Sequence, residues 1–364
     1  MAWERRCVAG PVPIAHHAKT LRSFSIGGFY AFILSRDPSV SLSVVARSNY
    51  EAVRQDVTGR SWPRTREDAD QLTGPAHPER EPWRASCEVR CWLAGRWRPQ
   101  YRSATDTRAV YKQPSDAPHA FDFIVCAHKA INIASVPAIF EPVTGVNTTF
   151  VLMQNGVGNE DPFQEAYPKC TIISGVVWVG ATQTSPGVIK HMKAEETELG
   201  LFPNPALDAG VEQARLDTFA GFLSVGQTAC TIWSNIQIQR WKKVVWNAAW
   251  NPITTLTMVD TQTWLARPEA MTMTRKLMHE MIEIALSCNV PLEHGLVDEL
   301  IERILAMPGI GSSMQTDAKA GRKLELEVIL GVPLRRAREH KIDAPTLASI
   351  YALTEAVDGR LGSP

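Results

Sequence analysis

Between Trp241 and Pro252 the chain reads Trp-Lys-Lys-Val-Val-Trp-Asn-Ala-Ala-Trp-Asn-Pro, and Lys243, Asn247 and Asn251 recur at every fourth residue. A step of four residues turns a helix by only about 40°, so the three polar side chains form one narrow stripe. Val244, Val245, Trp246, Ala248, Ala249 and Trp250 flank it. A cation and two amides left unpaired in so apolar a helix would cost on the order of several kcal/mol. The stripe should therefore face a polar cleft or a partner group, which makes it a candidate site. The competing reading has Lys243 reaching solvent while the asparagines cap or bridge neighbouring helices, and spacing alone does not separate the two.

The chain has 364 residues, enough for two domains that each bury a core. Its 38 basic and 38 acidic side chains balance, which removes the electrostatic case for nucleic acid or an acidic membrane surface as a partner. No apolar run approaches the roughly 20 residues of a membrane span. Seven cysteines, an odd number, read as reduced thiols in the cytoplasm rather than as a disulfide frame. Cys87 and Cys91 lack a second pair or a nearby histidine at metal spacing, so no metal is expected. The first 22 residues are mildly basic, but neither an amphipathic period nor a secretory apolar stretch marks them as a targeting segment.

Residues 1–22 contain no convincing strand, because Pro11, Pro13 and His16-His17 interrupt every apolar run. From Ser25 the pattern becomes regular. Gly27 and Gly28 open a helix running to Leu34, and Ser41 to Ala46 reads as a buried strand ending at Arg47. That is the second half of a dinucleotide-binding unit, and an arginine after the strand, where an NAD enzyme carries an acid, favours a 2′-phosphate and hence NADP. With Gly27 as the third glycine of G-x-G-x-x-G, Arg22 and Phe24 occupy the first two glycine positions. Side chains there obstruct close approach of the pyrophosphate, so weak cofactor binding is expected. Residues 57–108 mix tryptophans, arginines and prolines with no period of 2 or 3.6. A misplaced exon boundary or reading frame would account for this stretch and for residues 1–24. A basic aromatic arm for nucleic acid is disfavoured by the interleaved acids.

From Ala120 onward strands alternate with turns. Phe121 to Cys126 and Thr149 to Met153 read as buried strands, followed by Lys129 and by the turn Gln154-Asn155-Gly156-Val157-Gly158. Ligands of an open parallel sheet sit beyond the carboxyl ends of its strands, where Lys129 and Asn155 fall, although Asn-Gly is also a common plain turn. Thr171 to Thr182 and Ser185 to His191 read as strands around a turn, Glu198 to Phe202 closes the sheet, and His191 is taken as structural. Asn235 starts the lysine helix, and everything beyond it is helical. Ser312 and Ser313 open a further helix, followed by Asp317, Gly321, Arg322 and Glu325.

Three of these motifs resemble the ketopantoate reductase (2-dehydropantoate 2-reductase) family. They are Trp241-x-Lys243-x-x-x-Asn247-x-x-x-Asn251-Pro252, the Gln154 to Gly158 turn, and Ser312-Ser313-Met314 followed by Asp317, Gly321, Arg322 and Glu325. The likeness covers about residues 25–56 and 109–350; Thr261 departs from it, where bacterial relatives often carry asparagine. It implies an α/β fold, with a Rossmann-like dinucleotide-binding domain over residues 1–233 followed by an all-helical substrate domain over 234–364. The implied reaction is NADPH-dependent reduction of ketopantoate to pantoate, on the route to coenzyme A. Lys243 would be the proton donor and Glu325 would orient it. Asn247, Asn251 and Ser313 would bind the small 2-keto acid, while Gly27, Gly28, Arg47, Lys129 and Asn155 would serve the cofactor. A cytoplasmic homodimer is compatible with this reading. The alternatives are a reductase of another 2-keto acid and a non-catalytic binding protein with a defective nucleotide loop.

Overall fold

The structure is a computed structural model that describes residues 5–6, 16–21, 25–46, 50–51, 53–54, 109–185 and 188–362. Among these residues nine strands form one sheet. They are β1 (Arg5–Arg6), β2 (His16–Leu21), β3 (Val40–Val45), β4 (Ala109–Tyr111), β5 (Phe121–Cys126), β6 (Thr144–Leu152), β7 (Thr171–Ser185), β8 (Val188–Leu201) and β9 (Cys230–Ile232), in the spatial order β1-β9-β8-β7-β6-β5-β2-β3-β4. The run from β4 through β2 and β5 to β7 is parallel, and β8 returns antiparallel to β7. The order reverses between β2 and β5, which makes that edge the topological switch point of the sheet.

One expectation is corrected here. His16–Leu21, with no strand signal of its own, is a central strand paired in parallel with β3 on one side and β5 on the other. Strand preference depends on context, and two flanking ladders impose the extended backbone that the local sequence does not request. A second difference is continuity. The pieces read as separate strands around Ser185 join into the long hairpin β7–β8, whose strands have 15 and 14 residues.

Helix α1 (Ser25–Leu34) follows β2 and packs Phe29, Tyr30, Ile33 and Leu34 against the sheet, together with α3 (Ala209–Val225). The opposite face is covered by a cluster around Phe140, Phe150 and Phe163, the last from the short α2 (Asp161–Ala166). Both faces of the parallel strands are thus buried, which explains why residues 123–126 of β5 read as a continuous apolar run.

The helical half begins with α4 (Ile236–Thr257), capped by the Asn235 side chain. It continues through α5 (Thr261–Leu265), α6 (Pro268–Ser287), α7 (Leu296–Leu305), α8 (Ser313–Lys319), α9 (Val332–His340) and α10 (Pro345–Asp358). Val244, Val245, Ala248 and Ala249 of α4 are fully buried in a core shared with α6, α7 and α10. Among the described residues, no helix is long and apolar enough to cross a membrane. The expected helix from Leu324 to His340 is interrupted: Glu327–Gly331 forms a π-helical turn before α9. Such turns shift the register of the following side chains and often accompany functional sites.

Candidate active site

The stripe on α4 starts one turn before Lys243. Arg240, three residues earlier, is buried at 2 % exposure and is the hub on which the turn after β6 is built. Its guanidinium donates to the carbonyls of Leu152 (2.7 Å), Gln154 (3.0 Å) and Gly156 (2.8 Å) and pairs with the buried Glu160 carboxylate at 2.7 Å. A planar fork of five donors can serve three carbonyls and a carboxylate at once, one partner more than the three donors of an ammonium can. Arg240 went unnoticed in the sequence, although its offset of seven from Asn247 places it on the same helical line.

Held in this way, the turn presses against the helical half. Gly156 has φ +92°, and a side chain there would meet the Val328 carbonyl oxygen at 2.6 Å. Val157 N–H donates to that same oxygen at 3.0 Å. A glycine is required at Gly156 both for its left-handed backbone and for this approach. Asn155 is thereby aimed across the interface, and its amide donates to Glu325 Oε2 at 3.2 Å.

Glu325 is 5 % exposed and gathers groups from the sheet half. Lys129 Nζ donates to Oε2 at 3.1 Å and Ala130 N–H to Oε1 at 3.1 Å. Lys129 also pairs with Asp317 at 2.9 Å, and Asp317 in turn holds Arg322 at 2.8 Å. Burial by itself would raise the Glu325 carboxyl pKa; the Lys129 ammonium, the Ala130 N–H and the Asn155 amide outweigh it and hold the pKa below the ordinary range. For Lys129, burial works against the charged form, and the carboxylates of Glu325 and Asp317 more than restore it. Arg322, Asp317, Lys129 and Glu325 thus form one paired chain of alternating side chains.

Lys243 lies beside this chain rather than in it. Its ammonium donates to the Val177 carbonyl of β7 and sits 5.1 Å from the centre of the Trp178 ring. The expected direct orientation of Lys243 by Glu325 is not seen: Glu325 bonds to Lys129 and Asn155, and acts on Lys243 only as a nearby negative charge. Burial, followed by repulsion from Arg240, lowers the Lys243 pKa to about 8, against smaller raising effects from Glu325 and Glu198. A lysine so placed can both carry a proton and release one near neutral pH.

The other expected residues fall as follows. Asn247 is buried at 7 % exposure, and its amide nitrogen has no partner among the described residues. Asn251, at 5 %, lies one turn further along, its carbonyl accepting from Thr255 Oγ1 at 2.7 Å. Ser312, not Ser313, caps α8: its hydroxyl accepts from Gln315 N–H at 3.0 Å, leaving Ser313 exposed. Gly27 and Gly28 lie in the first turn of α1. Arg47 lies outside the described residues, as do Arg22, Phe24, Cys87, Cys91 and the stretch 57–108.

The described residues fit a dinucleotide at the switch point. Helix α1 starts beyond β2 with no acid in its first turn, so its N–H groups suit a pyrophosphate. Lys129 follows β5 with its side chain 29 % exposed, and the buried Gln154 amide nitrogen has no partner among the described residues. A separate cavity of about 300 Å³ lies behind the turn, lined by Val157, Gln237, Trp241, Cys288 and Arg336; it does not include Lys243 or Glu325.

Residues 25–204 match the family model described as ketopantoate reductase PanE/ApbA, and residues 235–358 match its C-terminal counterpart. A 2-dehydropantoate 2-reductase from a Nostoc species is 25% identical over 239 residues, which cover 66% of this chain and 75% of that one. The protein of the same name from Halobacterium salinarum is 27% identical over 250 residues, covering 68% and 80%. The crystal structure of 2-dehydropantoate 2-reductase from Methylococcus capsulatus superposes with a TM-score of 0.73 at 25% identity, covering 96% of this chain and 98% of that one.

Proposed function

Because the chain belongs to the ketopantoate reductase PanE/ApbA family of NADP-dependent oxidoreductases acting on CH–OH groups, we propose that it reduces ketopantoate to (R)-pantoate, a step toward pantothenate and coenzyme A. The observation that carries this reading is the convergence at Glu325. Lys129 and Asn155 from the ends of adjacent parallel strands meet one carboxylate from the helical half, with Lys243 within electrostatic reach.

When bound, NADPH supplies the hydride. Addition to a ketone places negative charge on oxygen, and a positioned cation stabilises that charge. Lys243 is assigned this role and the delivery of the proton from Nζ. Its lowered pKa brings proton loss near neutrality, which its ordinary value near 10.5 would not. Asn247 and Asn251, one and two turns further along the same line, are assigned to the substrate's carboxylate and hydroxyl, with Ser313 at the start of α8. Glu325 keeps Lys129 and Asn155 in place at the nicotinamide side. Gly27, Gly28 and Arg47 are assigned to the phosphates.

The indole rings of Trp178 and Trp246, packed edge to face at 6.4 Å beside Lys243, favour a second reading in which the preferred 2-keto acid has a larger side chain. Loss of NADPH absorbance with purified protein and a panel of 2-keto acids tests both. Turnover highest with ketopantoate supports the first and highest with an aromatic acid the second; no turnover with any of them rejects both. Seven cysteines, an odd number that reads as reduced thiols rather than a disulfide frame, support a cytoplasmic location. A dimeric ketopantoate reductase from Staphylococcus aureus, of like fold, supports a homodimer, which sedimentation would detect.

A further inference from the structure

Helix α7 turns Leu300, Ile301 and Ile304 into the helical core, which leaves Arg303 on its outer side. The guanidinium nevertheless lies over two indoles, 4.9 Å from the ring centre of Trp178 on β7 and 5.3 Å from that of Trp246 on α4. Among the described residues no carboxylate pairs with it. Arg275, Arg322, Arg335 and Arg336, also in the helical half, all have such a partner.

The same Trp178 ring carries Lys243 at 5.1 Å, so the two cations are separated by no more than about 10 Å. Trp178 is itself anchored, its indole N–H donating to Glu198 Oε2 at 3.0 Å. Trp246 stands three residues after Lys243, on the adjoining helical turn. Three elements from both halves thus bring two positive groups to the same indole. Indole faces attract cations but cannot neutralise them, and a flat guanidinium stacked on a ring keeps its edge donors free for a bidentate contact with a carboxylate. A 2-keto acid has its carboxylate one bond from the carbonyl. With hydrogen bonds of about 3 Å at each end, it spans a lysine at the carbonyl oxygen and an arginine at the carboxylate.

We propose that Arg303, presented by Trp178 and Trp246, binds the carboxylate of the 2-keto acid whose carbonyl faces Lys243. This rests on the reading of the protein as a 2-keto acid reductase. It adds a charged anchor to the amide and hydroxyl groups of Asn247, Asn251 and Ser313, and it makes the carboxylate a requirement for tight binding.

The test compares wild type, Arg303→Ala and Arg303→Lys with ketopantoate and with its methyl ester, which keeps the ketone and loses the charge. Expected for the acid is a KM raised at least about tenfold in Arg303→Ala with kcat within about twofold, and partial rescue by lysine. With the ester, wild type and Arg303→Ala should have the same kcat/KM. Equal losses on acid and ester, or no loss on the acid, would overturn the assignment. If wild type reduces no 2-keto acid, the functional reading fails first, and calorimetry then decides the anchor. A dissociation constant for the acid that rises tenfold in Arg303→Ala, with the ester unaffected, sustains it. Equal constants in both proteins, or no binding of the acid by wild type, reject it.

Discussion

Lys243 illustrates how one side chain can be read in two ways that pH separates. With Lys243 as the proposed proton donor and its proton lost near pH 8, kcat/KM should be level below that value and fall about tenfold per unit above it. Stability runs the other way. Between about pH 8 and 10.5 the unfolded lysine binds a proton that the folded one has released, so unfolding free energy contributed by this residue rises with pH. Urea titrations of wild type and Lys243→Met at pH 7.5 and 9.5 should show the difference shifting toward wild type at the higher pH. Lys243→Ala should lower turnover by about a hundredfold or more while the fold is retained. An unchanged rate would remove the proton-donor role.

At the level of elements, α4 does two jobs with one stripe. Its second turn fixes the backbone after β6 through Arg240, and the turns that follow present Lys243, Asn247 and Asn251. The fixed turn then meets the π-helical segment through Val157 and Val328, which places Asn155 against Glu325. Arg240→Lys keeps the charge but loses the fork, leaving buried carbonyls and the Glu160 carboxylate incompletely paired. We expect a loss of about 3 kcal/mol or more in denaturant titrations and a fall in kcat through the displaced turn. Full stability in the variant would show that the hub is dispensable.

Over the whole molecule, the sheet and the helical half are joined by polar contacts at one edge. Glu325 with Lys129, Glu160 with Gln237 and Asp161 with Arg336 all lie at or near the carboxyl ends of β5 and β6. At the nucleotide end, Arg22 and Phe24 fall in sequence where the first two glycines of G-x-G-x-x-G are expected. Replacing both with glycine should tighten NADPH binding by about tenfold or more in a fluorescence titration, since the backbone could then approach the pyrophosphate. Unaltered affinity would mean that these side chains do not obstruct the cofactor.

Much of this protein follows from local pattern. The spacing of Lys243, Asn247 and Asn251 specifies a helix with one polar line, and the apolar run at residues 123–126 specifies a strand buried on both faces; both hold because period and hydrophobicity are local properties of the chain. Pairing is not local. That Glu325 answers to Lys129 and Asn155 rather than to Lys243, that Arg240 holds the turn, and that Arg303 reaches an indole on β7 depend on which side chains the two halves bring within about 3 to 5 Å. His16–Leu21 is the limiting case. Nothing in those six residues asks for a strand, and only the ladders on either side, contributed by other segments of the chain, make them one.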